Sequence, residues 1–119
     1  MAWSFNKHTP VYKQIADRIR RSIISGEYPP NSQIPAVRQL AVTAAANPNT
    51  VQRALTELEN EGIIYSKGTI GRFVTSDAQL LDAAKKQAAK KLVQEFTEQA
   101  KQMSISKAQL IKMIEGEDI

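Results

Sequence analysis

The polar side chains with the most informative spacing lie between Asn47 and Leu58. The Asn47-Pro48 pair predicts a helix start, because asparagine caps free N–H groups and proline has no N–H to leave unpaired. Apolar residues then recur at steps of 3, 1 and 3, as on one buried helix face: Val51, Ala54, Leu55 and Leu58. Amide, hydroxyl and guanidinium groups lie off that face: Asn49, Thr50, Gln52 and Arg53. Such groups suit base edges in a DNA major groove, although an ordinary amphipathic surface helix has the same stripe.

Two further helices are predicted upstream. The first begins at Thr9-Pro10, with Thr9 as the predicted cap before proline, and ends near Gly26, which we expect in the left-handed conformation. Its apolar stripe recurs at steps of four: Val11, Ile15, Ile19 and Ile23. The second opens at Pro35, and only a few residues separate it from the helix at Pro48. Two short helices joined so tightly predict a helix-turn-helix.

A β-hairpin is predicted after Gly62, which closes the third helix. Residues 63–67 and 72–75 are rich in β-formers and flank a glycine turn, as in the wing of a winged helix-turn-helix. Lys67 and Arg72 flank its tip, where cations can meet phosphates or a minor groove. Gln33-Ile34 is expected to add a very short strand.

The remaining chain predicts a long helix capped by Asp77 and a final helix opened by a Ser106–Gln109 capping box. These two helices are too few to bury their own apolar faces. They must either pack back on the winged helix or pair with a second copy, and we favour a homodimer. The predicted domains are residues 1–75, a DNA-binding winged helix, and residues 76–119, a dimerisation segment. The predicted dimerisation residues are Leu81, Ala84, Ala88, Leu92, Phe96, Leu110 and Ile114. The predicted fold class is therefore α+β, mostly α.

Composition excludes several functions. The chain has 119 residues, no cysteine and one histidine, His8, so thiolate metal sites, a histidine zinc site and a Ser-His-Asp triad are not expected. No apolar run reaches membrane-spanning length, which predicts a cytoplasmic protein without a membrane partner. Residues 1–75 carry 9 Lys+Arg and 5 Asp+Glu, a net charge of 9 − 5 = +4, whereas residues 76–119 carry 7 of each. The excess favours an anionic partner for the first part.

The order and spacing of these motifs, from about Pro10 to Val74, resemble the GntR family of bacterial transcription regulators. The matching segments are residues 34–41, 47–55, 58–64 and 68–74. The short C-terminal pair of helices is similar to the YtrA subfamily. The resemblance implies a cytoplasmic homodimer that binds an inverted-repeat operator in double-stranded DNA, without a cofactor. Members often repress operons for ABC transporters, and a small-molecule effector is one expected partner of unidentified chemistry.

The resemblance also implies which residues meet DNA. Arg38 stands where an arginine early in the second helix contacts DNA in the family, whereas Ala36 replaces the usual serine cap. The recognition helix begins at Asn49 and Thr50. In the wing, Gly68 matches the family and Lys67 precedes it.

Gln52 and Arg53 depart from the family, in which arginine often directly follows the Thr-Val pair. Arg53 lies nearly opposite the centre of the buried helix face, and Asn49 lies beside it. We therefore predict that Asn49 and Arg53 lead the groove contacts, while Gln52 binds a phosphate or a rim base. Arg53 could alternatively pair with Glu57, four residues along the helix.

Two other functions remain open at this point. A winged helix can serve as a protein-interaction module, and the chain could be the regulatory part of a larger GntR-type pyridoxal phosphate protein. The well-capped final helices, ending at Ile119, favour a complete small protein that is not an enzyme. Operator sequence, effector, regulated genes and the choice between repressor and activator cannot be read from the residues.

Overall fold

Seven elements follow one another in the computed structural model, which describes residues 2–116. They are α1 (Val11–Ile24), α2 (Val37–Ala44), α3 (Pro48–Asn60), β1 (Ile64–Lys67), β2 (Gly71–Val74), α4 (Ala78–Gln102) and α5 (Lys107–Ile114). This order confirms the mostly helical α+β fold with a winged helix-turn-helix. The chain divides into two compact units, Met1–Asp82 and Ala83–Ile119, so the division falls inside α4. The functional boundary at residue 76 stays a prediction.

The core of the first unit forms where the apolar faces of α1 and α3 meet. The predicted stripe of α3 is buried throughout: Val51, Ala54, Leu55 and Leu58. On α1 the predicted stripe is buried at Ile15, Ile19 and Ile23, but the prediction is wrong for Val11, which is exposed in the first turn. Burying one such large aliphatic side chain contributes about 1.5–3 kcal/mol. Because the apolar face of α3 packs in this core, the polar face of the helix points outward.

Capping chemistry sets where α3 begins. The Asn47 side chain accepts from the backbone N–H of Asn49 at 2.7 Å, and Pro48 occupies the first helical position, which confirms the predicted start. The predicted Thr9 cap of α1 is wrong. Pro10 occupies the N-cap position and no side chain caps the helix, while the Thr9 carbonyl accepts from Gln14 Nε2 at 2.7 Å.

The start of α2 also differs from the prediction, since the helix begins at Val37 rather than at Pro35. Backbone hydrogen bonds to β2 hold the preceding segment extended, and one of them joins the Ile34 N–H to the Arg72 carbonyl at 3.0 Å. At its other end α2 stops at Ala45, a left-handed residue with φ 56° and ψ 49°. The Ala46 N–H then reaches back to the Ala41 carbonyl at 3.0 Å.

The wing is a two-stranded antiparallel hairpin in which Ile64 pairs with Val74 and Lys67 pairs with Gly71. The predicted strand at Gln33-Ile34 is a single bridge between Gln33 and Phe73. Gln33 Nε2 donates to the Ile70 carbonyl at 2.9 Å. A Cβ at Gly71 would lie 2.5 Å from that nitrogen, and φ at this position is +138°. The hydrogen bond between Gln33 and Ile70 therefore requires glycine at position 71.

The helix caps predicted for the C-terminal part are present. Asp77 Oδ1 accepts from the backbone N–H groups of Gln79 and Leu80 at 3.0 and 3.2 Å. The capping box of α5 is complete, with Ser106 Oγ accepting from the Gln109 N–H at 3.1 Å. Among residues 2–116, no helix combines the length and apolar character needed to cross a bilayer.

The second unit buries little of its apolar surface. Within its described residues, Ala100 and Leu110 are the buried ones. Leu92, Phe96 and Ile114 are 67%, 49% and 73% exposed. The unit therefore carries a large apolar surface that its own chain leaves uncovered. Further exposed apolar side chains are Val93, Met103, Ile111 and Met113.

Candidate nucleic-acid interface

The outward face of α3 holds the side chains predicted to meet a ligand. Asn49, Gln52 and Arg53 are exposed, and Thr50 is half-buried. The neighbouring Thr56 hydroxyl is engaged within the helix, because its Oγ1 donates to the Gln52 carbonyl at 3.0 Å. Within residues 2–116, by contrast, no hydrogen bond engages the side chains of Asn49, Gln52 or Arg53, so these amide and guanidinium groups remain available to a ligand.

Arg53 has a partner that the residue pattern did not reveal. Its Cζ lies 3.9 Å from the centroid of the Tyr12 ring, in the first turn of α1. Within the described chain, no ion pair joins Arg53 to Glu57. The side chain reaches the neighbouring helix instead, so Arg53 stands at the border between α3 and α1.

The other predicted residues lie on α2 and the wing. Arg38 is exposed in the first turn of α2. Lys67, the last residue of β1, places its Nζ 5.0 Å from the centroid of the Phe73 ring. Phe73 in turn stacks across the hairpin on Tyr65, with centroids 5.9 Å apart. Gly68 is exposed at the turn with φ +50°.

Arg72, which we predicted at the wing tip for phosphates, has another partner. Its Nε donates to the carboxylate of Glu59 in the last turn of α3. The Ser66 hydroxyl donates to the same carboxylate oxygen at 3.0 Å. The hydrogen bond from Arg72, aided by that from Ser66, holds the pKa of Glu59 below its usual range against the opposing effect of burial. We call these three residues, Glu59, Ser66 and Arg72, the wing anchor.

A second arginine joins the two core helices. Arg20 of α1 donates from Nε and Nη2 to the two carboxylate oxygens of Glu61, at 3.0 and 2.5 Å, and from Nη1 to Asp17. Burial alone would lower the pKa of Arg20, but the hydrogen bonds and charges of Glu61 and Asp17 raise it above its ordinary value. Three carboxylates of this unit, those of Asp17, Glu59 and Glu61, are thus paired with structural arginines.

The three cations predicted to contact DNA have no acidic partner in the described chain. Throughout residues 2–116, no ion pair involves Arg38, Arg53 or Lys67. They lie on α2, α3 and β1, and α3 packs against both other elements. The arrangement offers positive charge beside the amides of α3, which is the chemistry that phosphates and base edges require.

A helix-turn-helix followed by a two-stranded wing, with amides and uncompensated cations on and beside its second helix, defines a winged helix-turn-helix transcriptional regulator. Residues 11–74 match the family described as bacterial regulatory proteins, gntR family. The chain belongs to the GntR family. This is a family of DNA-binding transcriptional regulators and not of enzymes, which confirms the predicted class.

The chain is also similar to two curated HTH-type transcriptional regulators. It is 31% identical over 110 residues to the uncharacterized HTH-type transcriptional regulator YhcF of Bacillus subtilis, covering 92% of this chain and 91% of that protein. It is 39% identical over 71 residues to the HTH-type transcriptional repressor YtrA of the same organism, covering 60% of this chain and 55% of the repressor. The predicted resemblance to YtrA-type members is confirmed.

Solved structures share the fold. A GntR family transcriptional regulator from Listeria monocytogenes superposes with a TM-score of 0.84 and 32% identity, covering 96% of this chain and all of that one, 100%. The DNA-binding domain of AraR, solved in complex with an operator, has a TM-score of 0.57 and 26% identity over 60% of this chain and 93% of that domain. The similarity to the AraR domain therefore covers only part of this chain.

Proposed function

We propose that this GntR-family regulator is a repressor that binds an inverted-repeat operator as a homodimer. The observation that carries the proposal is the outward face of α3, which exposes amides and Arg53, while α3 packs against the two elements that carry Arg38 and Lys67. None of these three cations is ion-paired in the described chain. A helix with one buried stripe and a polar N-terminal half can enter a major groove. Repression is proposed because the YtrA relative is named a repressor.

In this proposal the site residues divide by role. Asn49 and Arg53 read bases, and Gln52 binds a phosphate or a rim base. Thr50 is half-buried and its side chain is shorter than those of its neighbours, so it contacts the DNA backbone rather than a base. Two groups act outside α3. Arg38 anchors α2 on the duplex, and Lys67 with Gly68 brings the wing to phosphates or the minor groove.

The second unit is proposed to hold two copies together. Leu92, Phe96 and Ile114 are exposed apolar side chains on α4 and α5, and a second copy would remove them from water. Ala84 and Ala88 of this unit are half-buried within their own chain, and so is Leu81, which lies in the first unit. Leu110 is buried in its own chain, so it would pack beneath the exposed apolar side chains that meet the second copy.

The remaining parts of the proposal follow from the subfamily resemblance. They are a cytoplasmic location, control of a transporter operon and response to a small-molecule effector of unidentified chemistry. We assign no residues of the described chain to the effector.

The test is to enrich operator DNA from random duplexes with the purified protein and then to titrate the enriched duplex at several salt concentrations. We expect a shared inverted repeat and a log–log fall of affinity with salt, because cations that meet phosphates release counterions. Arg38→Ala should weaken binding, by about 1–3 kcal/mol at one base pair if Arg38 reads a base. If Arg38 meets a phosphate, the loss should be uniform across sequences, with a shallower salt slope.

Lys85→Ala, on the exposed surface of α4, is the matched control for loss of one positive charge. A protein-interaction module would enrich no sequence and bind duplex DNA weakly. That result would contradict the proposal, as would an Arg38→Ala variant indistinguishable from the control.

A further inference from the structure

The contact between Tyr12 and Arg53 joins the outward face of α3 to a helix that is not predicted to read DNA. Tyr12 lies half-buried in the first turn of α1, and Arg53 is exposed on α3. The Arg53 Cζ lies 3.9 Å from the ring centroid, well inside the range of about 6 Å for an attractive cation–π contact. The pair is separated by 41 residues in sequence, so the packing of α1 on α3 creates it.

The contact with the Tyr12 ring leaves the N–H donors of Arg53 without hydrogen-bond partners. In the described chain Arg53 has neither a hydrogen-bond acceptor nor a carboxylate partner. A guanidinium carries five N–H donors, and a cation–π contact with a ring does not pair any of these donors with an acceptor. The side chain is therefore held in place while its donors stay available to a ligand.

Holding matters for an exposed arginine, which has many rotamers. Immobilising a long side chain on binding costs about 0.5–1.5 kcal/mol of conformational free energy. A ring that already restricts the guanidinium removes part of that cost before DNA arrives. The ring also fixes which side of α3 the guanidinium occupies, namely the side toward α1.

We propose that Tyr12 is a positioning residue that presets Arg53 for its base contact. The inference rests on the proposed role of Arg53 as a base reader. It assigns a specificity function to α1, and it explains how an arginine nearly opposite the buried face of α3 is directed to one border of the interface rather than left free to rotate.

The experiment compares Tyr12→Leu, which removes the ring, with Tyr12→Phe, which keeps it. Each is made in the natural chain and in an Arg53→Ala background, and all are titrated against single-base operator variants. Tyr12→Leu should weaken operator binding roughly two- to fivefold, the range of an exposed cation–π contact. It should also flatten the preference at the base pair that Arg53→Ala relaxes. Tyr12→Phe should bind like the natural chain.

The double variant separates positioning from folding. Tyr12→Leu should have no further effect once Arg53 is alanine, because the ring then has nothing to place. A general packing defect would instead weaken binding equally in both backgrounds. If thermal unfolding shows that Tyr12→Leu is not folded, Tyr12→Met, with a longer apolar side chain, takes its place.

A second readout does not need DNA. The ring current of Tyr12 should shift the Arg53 side-chain Nε–H resonance in the natural chain and in Tyr12→Phe, and the shift should vanish in Tyr12→Leu. If Arg53→Ala relaxes a base preference but Tyr12→Leu changes neither affinity nor preference, or tightens binding, the positioning inference is overturned and the proposed function stands. If Arg53→Ala changes nothing, both the base-reading role and the inference fail.

Discussion

The Nε–H of Arg72 in the wing donates to the carboxylate of Glu59 in the last turn of α3, so an ion pair joins α3 to the hairpin. The two side chains are 21% and 30% exposed, which shields the pair from much of the screening that weakens surface salt bridges. Ser66 of β1 donates to the same oxygen, and both strands of the hairpin thereby meet one carboxylate. The wing anchor fixes the hairpin relative to α3.

Glu59→Gln should lower the free energy of unfolding by about 1 kcal/mol, because a glutamine oxygen can still accept from Ser66 and Arg72 but without its charge. Chemical denaturation of the natural and variant proteins measures the difference. Glu98→Gln, an exposed residue of α4, is the control for loss of one carboxylate. Equal stability of the two variants would show that the anchor contributes nothing beyond an ordinary surface charge.

The same carboxylate should make stability depend on acid. The Arg72 hydrogen bond, with that of Ser66, keeps the folded-state pKa of Glu59 below its unfolded value, although burial works in the opposite direction. Its contribution is therefore fully present above the unfolded pKa, about 4.3, and is lost as the pH falls through the lower folded pKa. Between neutral and strongly acidic pH, the free energy of unfolding should fall less steeply with decreasing pH for Glu59→Gln than for the natural chain. Parallel curves would refute this linkage.

Arg53 and Gln52 should divide base reading and backbone contact between them. Arg53→Ala should relax the preference at one position per half-site, because an arginine fork favours guanine. Gln52→Ala should weaken binding with little change in preference. Both variants are measured on a panel of single-base operator variants. A loss of preference in Gln52→Ala alone would reverse the assignment and restore the position that the family uses most.

Leu92→Asp with Phe96→Asp should convert a dimer into a monomer, because an unpaired carboxylate buried in an apolar interface is strongly unfavourable. Light scattering reports the mass, and operator titration should show weakened binding. Gln94→Asp, an exposed polar site between them on α4, controls for the added charge. A natural chain that is monomeric at micromolar concentration would contradict the proposed dimer.

Local signals in the sequence were sufficient for much of the fold. The Asn47 cap, the Asp77 cap and the Ser106–Gln109 box each depend on residues within three positions, and all are present. The buried stripe of α3 likewise follows from helical spacing alone. The Thr9 cap failed because the chain enters α1 through Pro10 instead.

The partners of the long side chains were not predictable in the same way. Arg72 was placed at the wing tip by its position beside the turn, and the Glu59 carboxylate 13 residues away engages it instead. A helical wheel gives the direction of a Cβ, but an arginine extends far enough to reach a neighbouring helix, as Arg53 does toward Tyr12. Such pairings depend on how α1, α3 and the wing pack, which spacing along one element does not encode.

The turn between α2 and α3 is made by Ala45, a left-handed residue with a methyl group where glycine would be unstrained. The left-handed conformation costs an L-residue about 1–2 kcal/mol, whereas glycine there would lose roughly 0.5–1 kcal/mol more backbone entropy on folding. The entropy term offsets the strain only in part, so roughly 0.5–1 kcal/mol still favours glycine at this position. The chain nevertheless makes the turn with alanine, and a search for such regulators that demands a glycine between the two helices would pass this chain by.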